Sequence, residues 1–363
     1  MYLPDPRRFP RVDPSNPFIR QVMRVLTATD GAERSAAVQA LQAELREVLA
    51  SDDDMQLQAA LRDAPSQEAY KYLWSELREV LEQPIESRQR VVPFAIPVLL
   101  VAAASKGQQQ VVPVLKDMAP IIELLQSHQV LADTGELSLA SKMVDLGTLQ
   151  SWQPAQQWRW LTHLQDAARG LPVAWDEAPF VASKEAVQLR FMIGTIMHHA
   201  DEPMPVRMTA DATKWGMPLA QLISDQLKQD GLSLLAIPRG PQPLLQAAHS
   251  GRFARLEAGL QLFASAMIRQ FRQAGETPVA VIAAHEGNEL RITLSAKENS
   301  ERWEGYVWPL HPLDSVELIH DNAVALFQEC RVDDIRVLHE VQADMQDGLP
   351  LFLKAYNTTP SGS

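Results

Sequence analysis

Apolar residues recur at helical spacing from the N-terminus. Ser15, Asn16 and Pro17 supply a helix start, a polar cap followed by a proline in the first turn, and Phe18, Val22, Val25 and Leu26 follow on one stripe. A second helix after Asp30 aligns Val38, Leu41, Leu45, Val48 and Leu49. A third after Ser66 aligns Tyr70, Leu73, Leu77, Val80 and Leu81, and must end before Pro84. From Arg90 to Val130 two stretches begin alike, Val91-Val92-Pro93 and Val111-Val112-Pro113, which reads as proline-kinked core helices rather than a repeat. Further helices fit Ser138 to Leu149, Pro154 to Arg169 and Ser183 to His199, with Trp152, Trp158 and Trp160 as packing residues and Leu171 to Pro179 as a loop.

After Pro203 the pattern changes. Pro205 to Met208 fits a short strand, Pro218 to Asp230 a helix stopped by Gly231, and Leu232 to Ile237 a strand leading into the loop Pro238 to Pro243. A long helix then precedes Val279 to Ala284, a run apolar on both faces. Gly287-Asn288 predicts a tight hairpin that pairs Ala283 with Ile292 and Val281 with Leu294, and a turn at Lys297 to Ser300 then sets Leu294 against Trp303 and Leu290 against Val307. This register makes one core face of Val281, Ala283, Leu290, Ile292, Leu294, Trp303 and Val307. It leaves Arg291, Tyr306 and Trp308 together on the other face, open to a covering helix or a partner. A helix from Asp314 to Cys330 and a strand from Ile335 to Val341 complete the layer.

The fold class that follows is mixed α+β: a mainly helical N-terminal domain, then a smaller α/β domain whose mixed sheet contains a three-stranded antiparallel meander. The expected divisions are a proline-rich arm over 1–14, an all-α domain over 15–202, an α/β domain over 203–357 and a disordered tail over 358–363.

Composition narrows the setting. With 363 residues, 46% hydrophobic and 21% charged, the chain can bury cores without disulfides or metals. Its single cysteine, Cys330, excludes an internal disulfide and fits the cytoplasm. The N-terminus lacks a secretory pattern, and Val91 to Ala104 is shorter than the roughly 20 residues that cross a bilayer. The arginine excess, with abundant alanine and glutamine, suits a bacterial GC-rich genome. A formal charge of −12 disfavours nucleic-acid and membrane-surface binding. That charge is segregated: Gly231 to Ala274 carries five arginines and only Glu257, while Glu301 to Ser363 holds 4 basic and 11 acidic residues.

Candidate chemistry is sparse. His198-His199-Ala200-Asp201-Glu202 is rich in ligand types, but neighbouring histidines point apart and better serve a helix end than a metal. His320-Asp321 lacks companion ligands, Asp133-Thr134-Gly135 lacks the second copy of an aspartic protease site, and Cys330 reads as a small hydrophobe. Arg239, His249, Arg252 and Arg255 could bind an anion if Leu232 to Ile237 runs parallel to its neighbour, the geometry in which ligands sit beyond strand ends. No catalytic grouping, cofactor or metal site is expected. The pattern favours a non-enzymatic adaptor or scaffold that binds a protein partner or itself, with an enzyme for an anionic small molecule as the alternative.

Overall fold

A computed structural model describes residues 15–354, apart from 52, 83–88, 103–112, 133–135, 147–148, 150–186, 200, 204, 207–211 and 300. The proline-rich arm, the Asp133-Thr134-Gly135 turn, the helix expected over Pro154 to Arg169 with its tryptophans, the 171–179 loop and the tail therefore lie outside the described residues. The fold is mixed α+β, as expected. Two compact units divide between Arg255 and Leu256, inside a helix, rather than near residue 203.

The N-terminal helices form as patterned. In α1 (Pro17–Thr27) the Asn16 side chain accepts the amides of Phe18 and Ile19 at 3.0 and 3.3 Å. Helices α2 (Gly31–Ser51) and α4 (Gln67–Glu82) bury Leu41, Leu45, Leu49, Leu73, Leu77 and Val80 against Phe18, Ile19 and Val22. A short α3 (Met55–Arg62) was not expected, because its two buried positions, Leu57 and Ala60, are too few to show a period.

The stretch expected to be all-α contains a sheet instead. β1 (Gln89–Ala102) and β4 (Val187–His199) form an antiparallel ladder from Gln89↔His199 to Val101↔Val187, where helices were expected. β2 (Glu136–Leu139) and β3 (Val144–Asp145) pair with β4, in place of the helix expected from Ser138. A strand buried on both faces shows no polar alternation, so length and prolines misled the sequence reading.

Hydrogen-bond direction explains how β1 tolerates Pro93 and Pro97. The Ala95 amide donates to the Gln242 carbonyl at 2.8 Å and the Leu99 carbonyl accepts from Leu235, so odd residues of β1 address the side away from β4. Both prolines share that parity, and the amides they lack are not those of the β1–β4 ladder. The even residues Val92, Phe94, Ile96, Val98 and Leu100 enter one core with Met192 and Ile196. Helices α5 (Ala119–Ser127) and α6 (Ala212–Leu227) cover it with Ile121, Leu125, Trp215, Leu219 and Ile223. Gly194 lets this core close: a Cβ there would lie 2.5 Å from the Phe94 ring and 2.8 Å from the Ser138 carbonyl.

α6 starts a turn and a half before Pro218 and runs through it; Gly231, at φ 71°, ends the following 3₁₀ turn as expected. β5 (Leu232–Leu234) then joins β1, so this sheet spans residue 203. Val206, in the strand expected over Pro205 to Met208, makes a bridge to Leu131, and the rest of that stretch from 207 lies outside the described residues.

The second unit takes over within α7 (Leu244–Gln273). It continues through β6 (Pro278–His285), β7 (Glu289–Ala296), β8 (Trp303–Pro309), α8 (Val316–Glu329) and β9 (Asp334–Gln342), then a short hairpin of β10 (Met345–Gln346) and β11 (Leu349–Pro350). Sheet order is β8-β7-β6-β9, an antiparallel meander with β9 parallel to β6. Ser315 caps α8 through the Leu318 amide, and Ile319, Ala323 and Phe327 are buried, all as patterned.

The meander's register differs by one residue from the sequence expectation. Ile282 opposes Ile292, Ala283 opposes Arg291, and Ser295 opposes Trp303. The cause is the turn: His285 pairs with Glu289, so three residues bridge the strands, with Asn288 in the left-handed region at φ 58°. β6 is apolar on both faces and cannot report the slip. The observed helix-facing side holds Ala280, Ile282, Leu290, Ile292, Leu294, Tyr306 and Trp308. Trp303 and Val307, expected in that core, lie on the opposite side, and Val307 is 38% exposed.

Two substitutions separate these effects in urea unfolding. Pro97→Ala restores an amide outside the β1–β4 ladder and changes stability by less than about 1 kcal/mol. Gly194→Val drives a side chain into Phe94 and Leu139 and costs about 3 kcal/mol.

Candidate functional site

The expected anion-binding group is spread around its helix. Arg239 Nη1 lies 3.5 Å from Ser250 Oγ, and its guanidinium sits over the Phe253 ring at 5.9 Å. Helical geometry turns Arg252 and Arg255 roughly 100–160° round the axis from those two residues, while His249 neighbours Arg252. β5 is antiparallel to β1, so the condition for a ligand crevice beyond parallel strand ends is not met.

Arg291, Tyr306 and Trp308 do not share a face. Tyr306 donates its hydroxyl to the Leu256 carbonyl at 2.8 Å, packs on Phe263 and closes over Gly259, while Trp308 is 1% exposed. Arg291 points the other way, into the chain that follows β9. It pairs with Glu289, donates to the Asp344 and Leu351 carbonyls at 2.6 and 2.7 Å, and lies over the Phe352 ring. Phe352 also packs on Trp303 and against Gly305. Both sheet faces are thus engaged by this same chain.

The histidine clusters separate as well. His198 and His199 are successive residues of a strand, so they address opposite faces; His198 is buried and His199 exposed. On α8, His320 is buried and Asp321 exposed. Among the described residues no three His, Cys, Asp or Glu side chains assemble to hold a metal. Cys330 is half-buried at the end of α8, its carbonyl accepting from Arg272 at 2.7 Å.

A site that sequence reasoning missed lies between α8 and β9. α8 commits Ile319, Ala323 and Phe327 to the core, which leaves the adjacent row, Val324 and Gln328, overhanging β9. Ile335, Val337 and His339 line the strand's side of this groove, and Val332 and Asp333 close one end, around a volume of 590 Å³. Among the described strands β9 stands last in the order of its sheet. On α8, His320 feels the charges of the groove's His339 and of Glu317 and Asp321. Burial, and then His339, hold its imidazole below the ordinary histidine range. Only the short alternation Ile335, Val337, His339 hinted at this surface, and alternation cannot tell an edge strand from a central one.

Comparison with protein-family profiles, curated proteins and solved structures finds no match for this chain. Among the described residues no helix is long and apolar enough to cross a membrane.

Two measurements probe this region. Arg291→Ala leaves two carbonyls without their donor and Phe352 without its cation, and is expected to cost about 2–4 kcal/mol. Limited chymotrypsin digestion should then cut near Leu351 and Phe352 at conditions that spare the parent protein. His320 binds a proton more weakly folded than unfolded, so its contribution to stability is complete above about pH 6.5 and is lost as pH falls through its lower folded value. The thermal midpoint should fall between pH 7 and 5, and His320→Gln should make that slope shallower.

Proposed function

We propose that this chain is a non-enzymatic adaptor or scaffold of the cytoplasm that acts through protein–protein contacts, with the unit from Leu256 onward as its recognition module. The observation that carries this reading is the groove between α8 and β9, whose apolar lining by Val324, Val332, Ile335 and Val337 is framed by the polar Gln328, Asp333 and His339, as a surface that takes a partner's side chains would be. The rest of the chemistry agrees with it. The titratable groups with a catalytic look are dispersed: the arginines over α7 and the loop before it, His198 and His199 on opposite faces of a strand, and His320 buried beside an exposed Asp321. The charge of −12 supports a protein rather than a nucleic-acid partner. An enzyme for an anionic substrate finds less support, because Arg239 turns to Ser250 and Phe253 instead of toward Arg252 and Arg255.

The test is the mass of the native complex. Protein isolated at its natural abundance from the cells that make it, without overexpression, should elute in size exclusion with light scattering as a complex containing a stoichiometric second protein or copy. Elution as a lone monomer of 40.5 kDa would remove the reading.

A further inference from the structure

The groove between α8 and β9 is floored by side chains. The two elements run antiparallel through the turn that Val332 and Asp333 close. Going away from that turn, the helix row Gln328, Val324, His320 therefore passes along the strand row Ile335, Val337, His339, and His320 feels the charge of His339. The amides and carbonyls of a strand lie in the plane of its sheet, so they do not open into this floor. An extended segment laid on it would find no partners there for its own backbone, whereas a helix brings its backbone hydrogen bonds with it. The dimensions agree: from Ile335 to His339 the floor runs about 13 Å, and helix positions i, i+4 and i+7 span about 10 Å.

Charge sets what stands at the two ends. Along Asp314 to Gln342 the chain carries seven carboxylates and two arginines, a surplus of five negative charges. One of those arginines, Arg336, is bound to Asp334 at 2.8 Å. Asp333 closes one end of the groove. Glu317 and Asp321 stand toward the His339 end: with Val324 and Gln328 they fall at i, i+4, i+7 and i+11 along one flank of α8, and both act on His320. All three carboxylates are exposed.

On the strength of the adaptor reading, we propose that this groove takes an amphipathic helix from another protein, apolar at i, i+4 and i+7 and basic one turn beyond each end of that stripe. The apolar side chains rest on Val324, Ile335 and Val337, and the lysines or arginines meet Asp333 at one end and Asp321 and Glu317 at the other. One helix face carries all of these, because i−4 and i+11 continue the same stripe. Charge selects this occupant over a second copy of the chain, which brings its own −12 to an acidic surface. Affinity therefore falls as salt screens the exposed carboxylates.

The probe is a labelled peptide of about fifteen residues, with leucines on the stripe, lysines at both its ends and alanine or glutamine elsewhere. Its controls carry glutamates for the lysines or a central proline, and a third peptide alternates lysine and valine to favour an extended chain. Binding is read by fluorescence anisotropy at low and high salt, helix formation by circular dichroism, and the contact by methyl NMR of Val324, Ile335 and Val337. The lysine helix should bind at least tenfold more tightly than all three, weaken severalfold in high salt, gain helicity on binding and shift those methyl signals. Val324→Glu should abolish binding. Asp321→Lys, on the exposed flank of α8, should weaken it about fivefold with the folding midpoint unchanged, and keeps the test decisive if Val324→Glu fails to fold. Equal affinity for the glutamate peptide, tighter binding of the extended one, shifts mapping elsewhere, or self-association through this groove would each overturn the proposal. A native partner found while no peptide binds overturns the helix and leaves the adaptor reading standing. A native monomer that binds the peptide removes the adaptor reading and keeps the helix.

Discussion

The three residues between β6 and β7 hold the second unit's arrangement in place. Asn288, at φ 58°, closes the turn in a conformation that asparagine tolerates better than most side chains. Its side chain donates to the Leu310 carbonyl at 3.0 Å and its own carbonyl accepts the Leu310 amide at 2.8 Å, so the turn also fixes where β8 ends. The neighbouring Gly287 amide donates to the Asp344 carboxylate, which pins the segment after β9. Two connections and one register thus meet at one turn. From it follow the placement of Tyr306 under Leu256, of Arg291 under Leu351, and the covering of both sheet faces.

That turn is also where sequence arithmetic slipped. Gly287-Asn288 signals a hairpin correctly, but the signal does not distinguish a two-residue loop from a three-residue one whose last member is left-handed. The usual check, that a one-residue slip turns a core face polar, fails because β6 is apolar on both sides; Val281 and Ala283 substitute for Ile282 and Ala284 without complaint. That leaves β8 as the strand whose pattern would have to report the slip. There the mixture of Trp303, Glu304, Tyr306, Val307 and Trp308 satisfies either.

Elsewhere legibility tracks how one-sided an element is. α1, α2, α4 and α8 each bury one stripe, and their stripes and caps can be read directly from spacing. β1 and β4 bury both faces, so they lose the polar alternation that marks a strand, and two prolines in β1 pointed to kinked helices instead. Their tolerance depends on parity, with each missing amide on the side away from β4, and parity becomes visible only once the neighbours are known. The candidate site was hidden for a related reason. The apolar alternation of β9 was readable, but its position at the sheet's margin is a property of strand order, set by a crossover through α8.

The covering of both faces bears on what kind of recognition this unit can offer. With α7 and α8 on one side and the 344–352 segment on the other, contact through a face would first require displacing Phe352 and the Arg291 hydrogen bonds, or the Tyr306 anchor. The groove between α8 and β9 carries no such cost, because Val324, Ile335 and Val337 line it without taking part in either anchor. Its floor is supplied by the row of α8 next to the buried stripe of Ile319, Ala323 and Phe327, so filling it leaves the core of the unit as it stands.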